Sequence, residues 1–172
     1  MRRLRHWLVA LTVLYALSGC VTPRGPEAGV TYVLLRHAEK ATDDPRDPTL
    51  SAAGLKRAER QAERLRFMPV VAVYATQYRR TQQTAAPIAR EHRLAVTPYD
   101  AAQPATAFAA RLRAAHDHGA VVIVGHSNTV AGIAQALCRC EIAPTAETEY
   151  GRRITVTVLP DGRATVDDRR EP

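Results

Sequence analysis

Two histidines in this 172-residue chain each directly follow a short apolar run. His37 lies in Arg36-His37-Ala38-Glu39-Lys40, after Thr31-Tyr32-Val33-Leu34-Leu35. His126 lies in Gly125-His126-Ser127-Asn128, after Ala120-Val121-Val122-Ile123-Val124. Both runs read as strands, and the second, with no polar alternation, reads as buried on both faces. In open α/β sheets, ligands bind beyond the carboxyl ends of the strands. Helix N-termini open at the same edge and offer free N–H groups to an anion. If the two strands are parallel and near each other, both imidazoles face one crevice. Arg36 then adjoins one histidine. Arg80 opens the helix after the strand Val70–Tyr74, at another carboxyl end. Two imidazoles and two guanidiniums converging on one point match phosphate best.

The elements that must position these groups are legible along the chain. Residues 41–48 hold three Asp and two Pro and read as a loop. Residues 51–67 form a helix capped by Ser51, with Leu55, Ala58, Ala62 and Leu65 as its apolar stripe. A second helix spans 79–92 with Pro87 inside it, and a brief strand covers 94–97. Helices are expected at 105–116 and 127–137 on either side of the buried strand. Strands at 152–159 and 163–166 flank Pro160-Asp161-Gly162, a hairpin turn signal. Strands alternating with helices predict an α/β fold: a three-layer sandwich with a mostly parallel central sheet and helices on both faces.

With those motifs in place the chain resembles the histidine phosphatase superfamily, which includes the cofactor-dependent phosphoglycerate mutases. Arg36-His37-Ala38 is similar to the family's first histidine signature. Leu50-Ser51-Ala52-Ala53-Gly54 is similar to its helix start, Arg80-Thr81-Gln82-Gln83-Thr84-Ala85 to its central segment, and Gly125-His126-Ser127 to its second histidine motif. The four occur in family order over about residues 31–135. The resemblance implies a phosphoglycerate mutase-like sandwich in which His37 is the nucleophile and forms a phosphohistidine. It implies that Arg36, Arg80 and His126 hold the phosphoryl oxygens and spread the transition-state charge, with no metal and no cofactor. The family also uses a Glu or Asp to protonate the leaving group. Asp100, after a short strand, is the candidate here, with a turn or capping role as its alternative. Glu39 is the rival, with an orienting ion pair to an active-site Arg as its alternative.

Other features admit plainer roles. Ser127 and Asn128 could donate to phosphate or cap the next helix. Thr76 could contact phosphate or hold a turn, and Arg79 reads as a solvated neighbour of Arg80. His116-Asp117-His118 reads as a solvated loop, and Asp43, Asp44 and Asp47 fit no calcium loop. Cys138-Arg139-Cys140 is a pair slightly favouring a disulfide.

The N-terminus reads as an address. Arg2, Arg3 and Arg5 precede an apolar stretch, Trp7–Leu17, too short to cross a hydrocarbon core of roughly 30 Å. Leu17-Ser18-Gly19-Cys20 resembles the bacterial lipobox, which implies cleavage before Cys20 and lipidation of it. The expected organisation is a signal peptide over 1–19, a tether over 20–30, a phosphatase domain over 31–168 and a charged tail over 169–172. Cleavage removes three arginines from the formal charge of +7. The remaining basic residues form no stripe interleaved with aromatics, so nucleic acid is not an expected partner. The implied location is the bacterial envelope, at the periplasmic face of the outer membrane, since Val21 rather than Asp follows Cys20. The leading expectation is a lipid-anchored phosphomonoester hydrolase acting on a phosphorylated substrate. The alternatives are a non-catalytic lipoprotein that binds a phosphorylated ligand, and a phosphoglycerate mutase-like phosphotransferase. The short chain leaves little room for the extra segments that cover a mutase's substrate.

Overall fold

The computed structural model describes residues 29–170. The expected signal peptide, Cys20 and the tether up to residue 28 lie outside the described residues, as do residues 171 and 172. The chain runs β1 (Val30–Arg36), α1 (Ala52–Leu65), β2 (Val70–Thr76), α2 (Arg79–Glu91), β3 (Val96–Tyr99), α3 (Ala105–Ala115), β4 (Ala120–Gly125), α4 (Ser127–Cys138), β5 (Arg152–Val158) and β6 (Ala164–Arg170). One six-stranded sheet has the order β3-β2-β4-β1-β5-β6. The first four strands in that order are mutually parallel, while β5 and β6 join antiparallel at the far edge.

Side-chain alternation along the strands divides the core into two layers. Tyr32, Leu34, Val121 and Ile123 pack with Phe108 and Leu112 of α3 and with Val130, Ile133 and Leu137 of α4. Val33, Leu35, Val122 and Val124 face the other way, against Ala62 and Leu65 of α1 and Ala85 and Ile88 of α2. Two helices on each face make the expected three-layer sandwich. Every residue of β4 is buried, as its unalternated sequence requires.

Three local expectations are refined. Leu55 is 49% exposed, while Gly54 and Gln61 take buried places on α1. The helix is rotated because Gly54 lies against the chain: a Cβ there would stand 2.3 Å from the Glu39 carbonyl oxygen. Ser51 caps α1 as expected, its Oγ accepting the Gly54 N–H at 3.1 Å. Second, Pro87 sits inside α2 without ending it. Third, Arg169 and Arg170, expected in the charged tail, are strand: β6 pairs with β5 from Ala164 opposite Val158 to Arg170 opposite Arg152. Its anchor is Arg152, 2% exposed, whose guanidinium makes a two-pronged pair with Asp168 at 2.9 and 2.8 Å.

Cys138 and Cys140 are joined in a disulfide at the end of α4, with Cα atoms 5.2 Å apart. No helix among the described residues is long and apolar enough to cross a membrane.

Candidate active site

The register between β1 and β4 brings the two histidines together. Arg36 pairs with Gly125 as the last rung of the ladder, so His37 and His126 leave adjacent parallel strands side by side. The His37 N–H donates to the Gly125 carbonyl at 2.9 Å, and the two imidazole centroids lie 5.4 Å apart, edge to face. Gly125 is required at this junction. A Cβ there would meet the Thr129 and Tyr99 hydroxyl oxygens, each at 2.7 Å.

Each ring is held by a different device. His37 Nδ1 lies 2.8 Å from the Ala38 carbonyl oxygen. A carbonyl only accepts, so Nδ1 carries the proton and Nε2 keeps its lone pair. The loop that carries this contact is fixed from α2: Thr84 Oγ1 accepts the Ala38 N–H at 3.0 Å and donates to the Arg80 carbonyl at 2.7 Å. His126 Nε2 lies 2.9 Å from the hydroxyl of Thr76, which lies 2.7 Å from that of Thr81. Thr76 and Thr81 are fully buried, so this hydroxyl chain clamps the ring from β2. Thr76 is therefore placed on His126 rather than at a bare turn.

Burial and the surrounding cations keep both rings neutral. His37 is pushed down to about 4, first by burial and then by Arg36, Arg80 and Lys40, against the opposing pull of the Ala38 carbonyl. His126 is also pushed down to about 4, by burial and then by Arg80, His37 and Arg36.

The histidines line a cavity of about 490 Å³ together with Lys40, Arg46, Arg80 and Ser127. Arg80 stacks over Tyr78 at 4.6 Å, and its Nε and one terminal nitrogen have no hydrogen-bond partner. The nearest carboxylate oxygen is that of Asp47, 3.6 Å from the guanidinium. Asp47 also accepts the Arg79 N–H at 2.9 Å, which ties the acidic loop to the start of α2. Ser127 and Asn128 line the cavity where α4 begins. Arg79 is exposed and reaches only Asp43 and Asp47.

The remaining expected residues are placed differently. Arg36 is buried, but it does not line the cavity. One terminal nitrogen donates to the Ala146 carbonyl at 3.0 Å and to that of Glu147. The other pairs with the Glu147 carboxylate at 2.9 Å, and the ring of Tyr150 covers the guanidinium at 4.3 Å. The second Glu147 oxygen accepts the Ser127 hydroxyl. A carboxylate thus stands on two of the groups expected to hold a phosphoryl group. Asp100 does not line the cavity. Its carboxylate is turned into its own exposed turn, where it accepts the Ala102 N–H at 2.9 Å, an Asx turn. Glu39 is paired with Arg57 of α1 at 2.8 Å and does not line the cavity either. The carboxylate inside the cavity is Glu147, which sequence reasoning missed. It lies in a loop whose place depends on tertiary contacts, and no motif marks it. Lys40, Arg46 and Tyr78 were missed too. They were readable only as neighbours of the motifs.

His118 and Asp117 pair with each other at 2.6 Å, and His116 meets the Tyr74 hydroxyl at 3.0 Å, away from the cavity. Among the described residues no cluster of three metal-ligating side chains is present.

Comparison with known proteins bears on the fold. The model of the histidine phosphatase superfamily (branch 1) matches residues 32–103. No curated protein sequence matches the chain. Among solved structures, the protein histidine phosphatase SixA complexed with tungstate superposes with a TM-score of 0.69 at 20% identity. The match covers 81% of this chain and 96% of that one. A phosphoserine phosphatase from Entamoeba histolytica, in complex with 3-phosphoglyceric acid, gives 0.60 at 14% identity over 83% and 98% of the two chains. A mycobacterial glucosyl-3-phosphoglycerate phosphatase gives 0.59 at 17% identity over 83% and 99%. Family model, fold and the paired histidines at two adjacent strand ends make the chain similar to the histidine phosphatase superfamily.

Proposed function

We propose that the chain is a metal-independent phosphomonoester hydrolase that works through a phosphohistidine on His37 and is anchored to the bacterial envelope through Cys20. The observation that carries the catalytic part is the neutral His37 ring, with Nδ1 tied to the Ala38 carbonyl and Nε2 left basic in a cavity rich in cations. The Nε2 lone pair attacks phosphorus, and the bond from phosphorus to the ester oxygen breaks with its electrons on the leaving group. Arg80, His126 and, once Glu147 has moved aside, Arg36 hold the three phosphoryl oxygens through the transition state. Water then attacks phosphorus, the N–P bond breaks, and the pair returns to Nε2 as phosphate departs.

The expected donor of the leaving-group proton, Asp100 or Glu39, is not supported by placement, since both carboxylates are engaged outside the cavity. The envelope part rests on the N-terminal arginines, the short apolar stretch and the Leu17-Ser18-Gly19-Cys20 box.

The structural neighbours are named for substrates as different as a protein histidine, phosphoserine and glucosyl-3-phosphoglycerate. Shared phosphoryl chemistry therefore leaves the choice of leaving group to the cavity walls.

The test compares wild type with His37→Ala on an aryl phosphate in the presence of a chelator. The expected result is chelator-resistant hydrolysis that falls by about 10³-fold or more in the variant. Turnover abolished by the chelator would sink the metal-independent mechanism. A folded wild type without turnover would favour the phosphate-binding lipoprotein. Cys20→Ser should move the protein from the membrane fraction to the soluble one, and retention at the membrane would overturn the lipid anchor.

A further inference from the structure

Two cations of the active-site cavity have no task in the phosphoryl chemistry. Lys40 and Arg46 both line it, on the chain between β1 and α1. Both are open to solvent, and neither side chain has a hydrogen bond or ion pair among the described residues. Elsewhere arginines close to an acid are paired with it, as at Arg57–Glu39, Arg90–Glu59 and Arg152–Asp168.

The absence of a pair is notable at Arg46, because three aspartates lie within three residues of it in sequence. Each is committed elsewhere. Asp43 accepts from the Thr49 N–H and hydroxyl at 3.1 and 2.7 Å. Asp44 accepts the backbone N–H groups of Arg46 and Asp47 at 2.8 and 3.1 Å, so it holds the turn and not the guanidinium. Asp47 accepts the Arg79 N–H and stands by Arg80. The loop thus spends its carboxylates on its own shape and on α2, and leaves the Arg46 guanidinium to the cavity.

We propose that Lys40 and Arg46 form a second anion subsite, and that the substrate is a phosphomonoester carrying a second anionic group, a carboxylate or another phosphate, on the same molecule. The inference rests on the phosphatase reading of this cavity and names the substrate class for it.

Charge and space both favour it. A phosphoryl dianion is matched by Arg80 and Arg36, which leaves Lys40 and Arg46 uncompensated beside a neutral leaving group. A second anion supplies the match, and the planar guanidinium fork suits either oxyanion. The cavity, about 490 Å³, far exceeds one phosphoryl group and lies in the range of about 300–1,000 Å³ that takes a whole small ligand.

The full chain is titrated by calorimetry at fixed ionic strength with propylphosphonate, 3-phosphonopropionate and propane-1,3-diphosphonate. The two doubly anionic probes should bind wild type about tenfold more tightly than propylphosphonate. The larger gain of the two identifies the second group as carboxylate or phosphate. In the Lys40→Gln/Arg46→Gln double variant that advantage should shrink to about twofold or less, and Arg46→Lys, which keeps the charge, should retain most of it. Turnover gives a second readout. The ratio of kcat/KM for 4-carboxyphenyl phosphate over phenyl phosphate should fall by about tenfold in the double variant. Equal affinity of wild type for all three phosphonates, failure of all three to bind, or an advantage unaltered in a folded double variant overturns the subsite. Wild type that hydrolyses neither ester overturns the phosphatase reading instead, while the phosphonate comparison still decides the subsite.

Discussion

His37 owes its neutral ring to its burial. Its neutral form persists down to about pH 4 because burial and three nearby cations oppose the second proton. The value of kcat/KM should therefore hold as pH falls through 6.5, where a free histidine protonates, and drop only as it passes about 4. A pH–rate profile that breaks near 6.5 would show that His37 is not depressed in the working enzyme. The same shift affects stability. Between about pH 4 and 6.5 the unfolded chain binds a proton at His37 and at His126 that the folded chain does not. Stability is full above 6.5 and is lost as pH falls towards 4, by up to ~3 kcal/mol for each ring. His126 depends in addition on the Thr76 hydroxyl. Thr76→Val leaves the buried His126 nitrogen without its hydroxyl partner, while Thr81 keeps the Thr76 and Tyr78 carbonyls, and this costs about 1–3 kcal/mol of stability and lowers kcat. Thr76→Ser should restore both in unfolding and turnover measurements, because it returns the hydroxyl.

The segment between α4 and β5 holds the feature that the motifs did not reveal. Residues 146 and 147 take both terminal nitrogens of Arg36, and the Glu147 carboxylate also takes the Ser127 hydroxyl. Ser127 and Arg36 hold that carboxyl below the usual range, so it is ionised at neutral pH and competes with phosphate for the same donors. Glu147→Gln removes the charge while keeping the shape. Inorganic phosphate should then bind the variant about tenfold more tightly, as measured by calorimetry or by product inhibition. Equal affinity would mean that phosphate never needs Arg36. The strand-end histidines, Arg80 and the sandwich itself were legible, because strand runs, helix stripes and turn residues are local signals. Glu147, Tyr150 and Asp47 were not, since each reaches the site from a loop whose path is set by contacts distant in sequence. Asp100 failed for the converse reason: an aspartate after a strand is as good a turn former as an acid, and here the turn wins.

For the molecule as a whole, the C-terminal edge holds more of the fold than its charged composition suggests. Arg152 is among the largest fully buried side chains. Besides Asp168 it bonds the Ala143 and Pro144 carbonyls and the Thr145 hydroxyl, at 2.9, 3.0 and 3.0 Å. One guanidinium thus joins β6 to the start of the loop that carries Glu147 and Tyr150 to the active site. A guanidinium this buried is tolerable only while its partners remain, because breaking a buried pair leaves a charge that water cannot reach. Asp168 is itself 29% exposed, which places the cost of losing it at the lower end, about 3 kcal/mol. Asp168→Ala, or truncation after Val166, should lower the unfolding free energy by that amount in denaturant titrations. Circular dichroism is the probe, since the one Trp, Trp7, precedes the folded domain. Loosening the anchor should also free the loop, so Asp168→Ala should tighten phosphate binding in the same direction as Glu147→Gln. A loss no larger than the ~0.5 kcal/mol of an ordinary surface substitution would show that β6 is dispensable and that the loop is held by Arg36 alone.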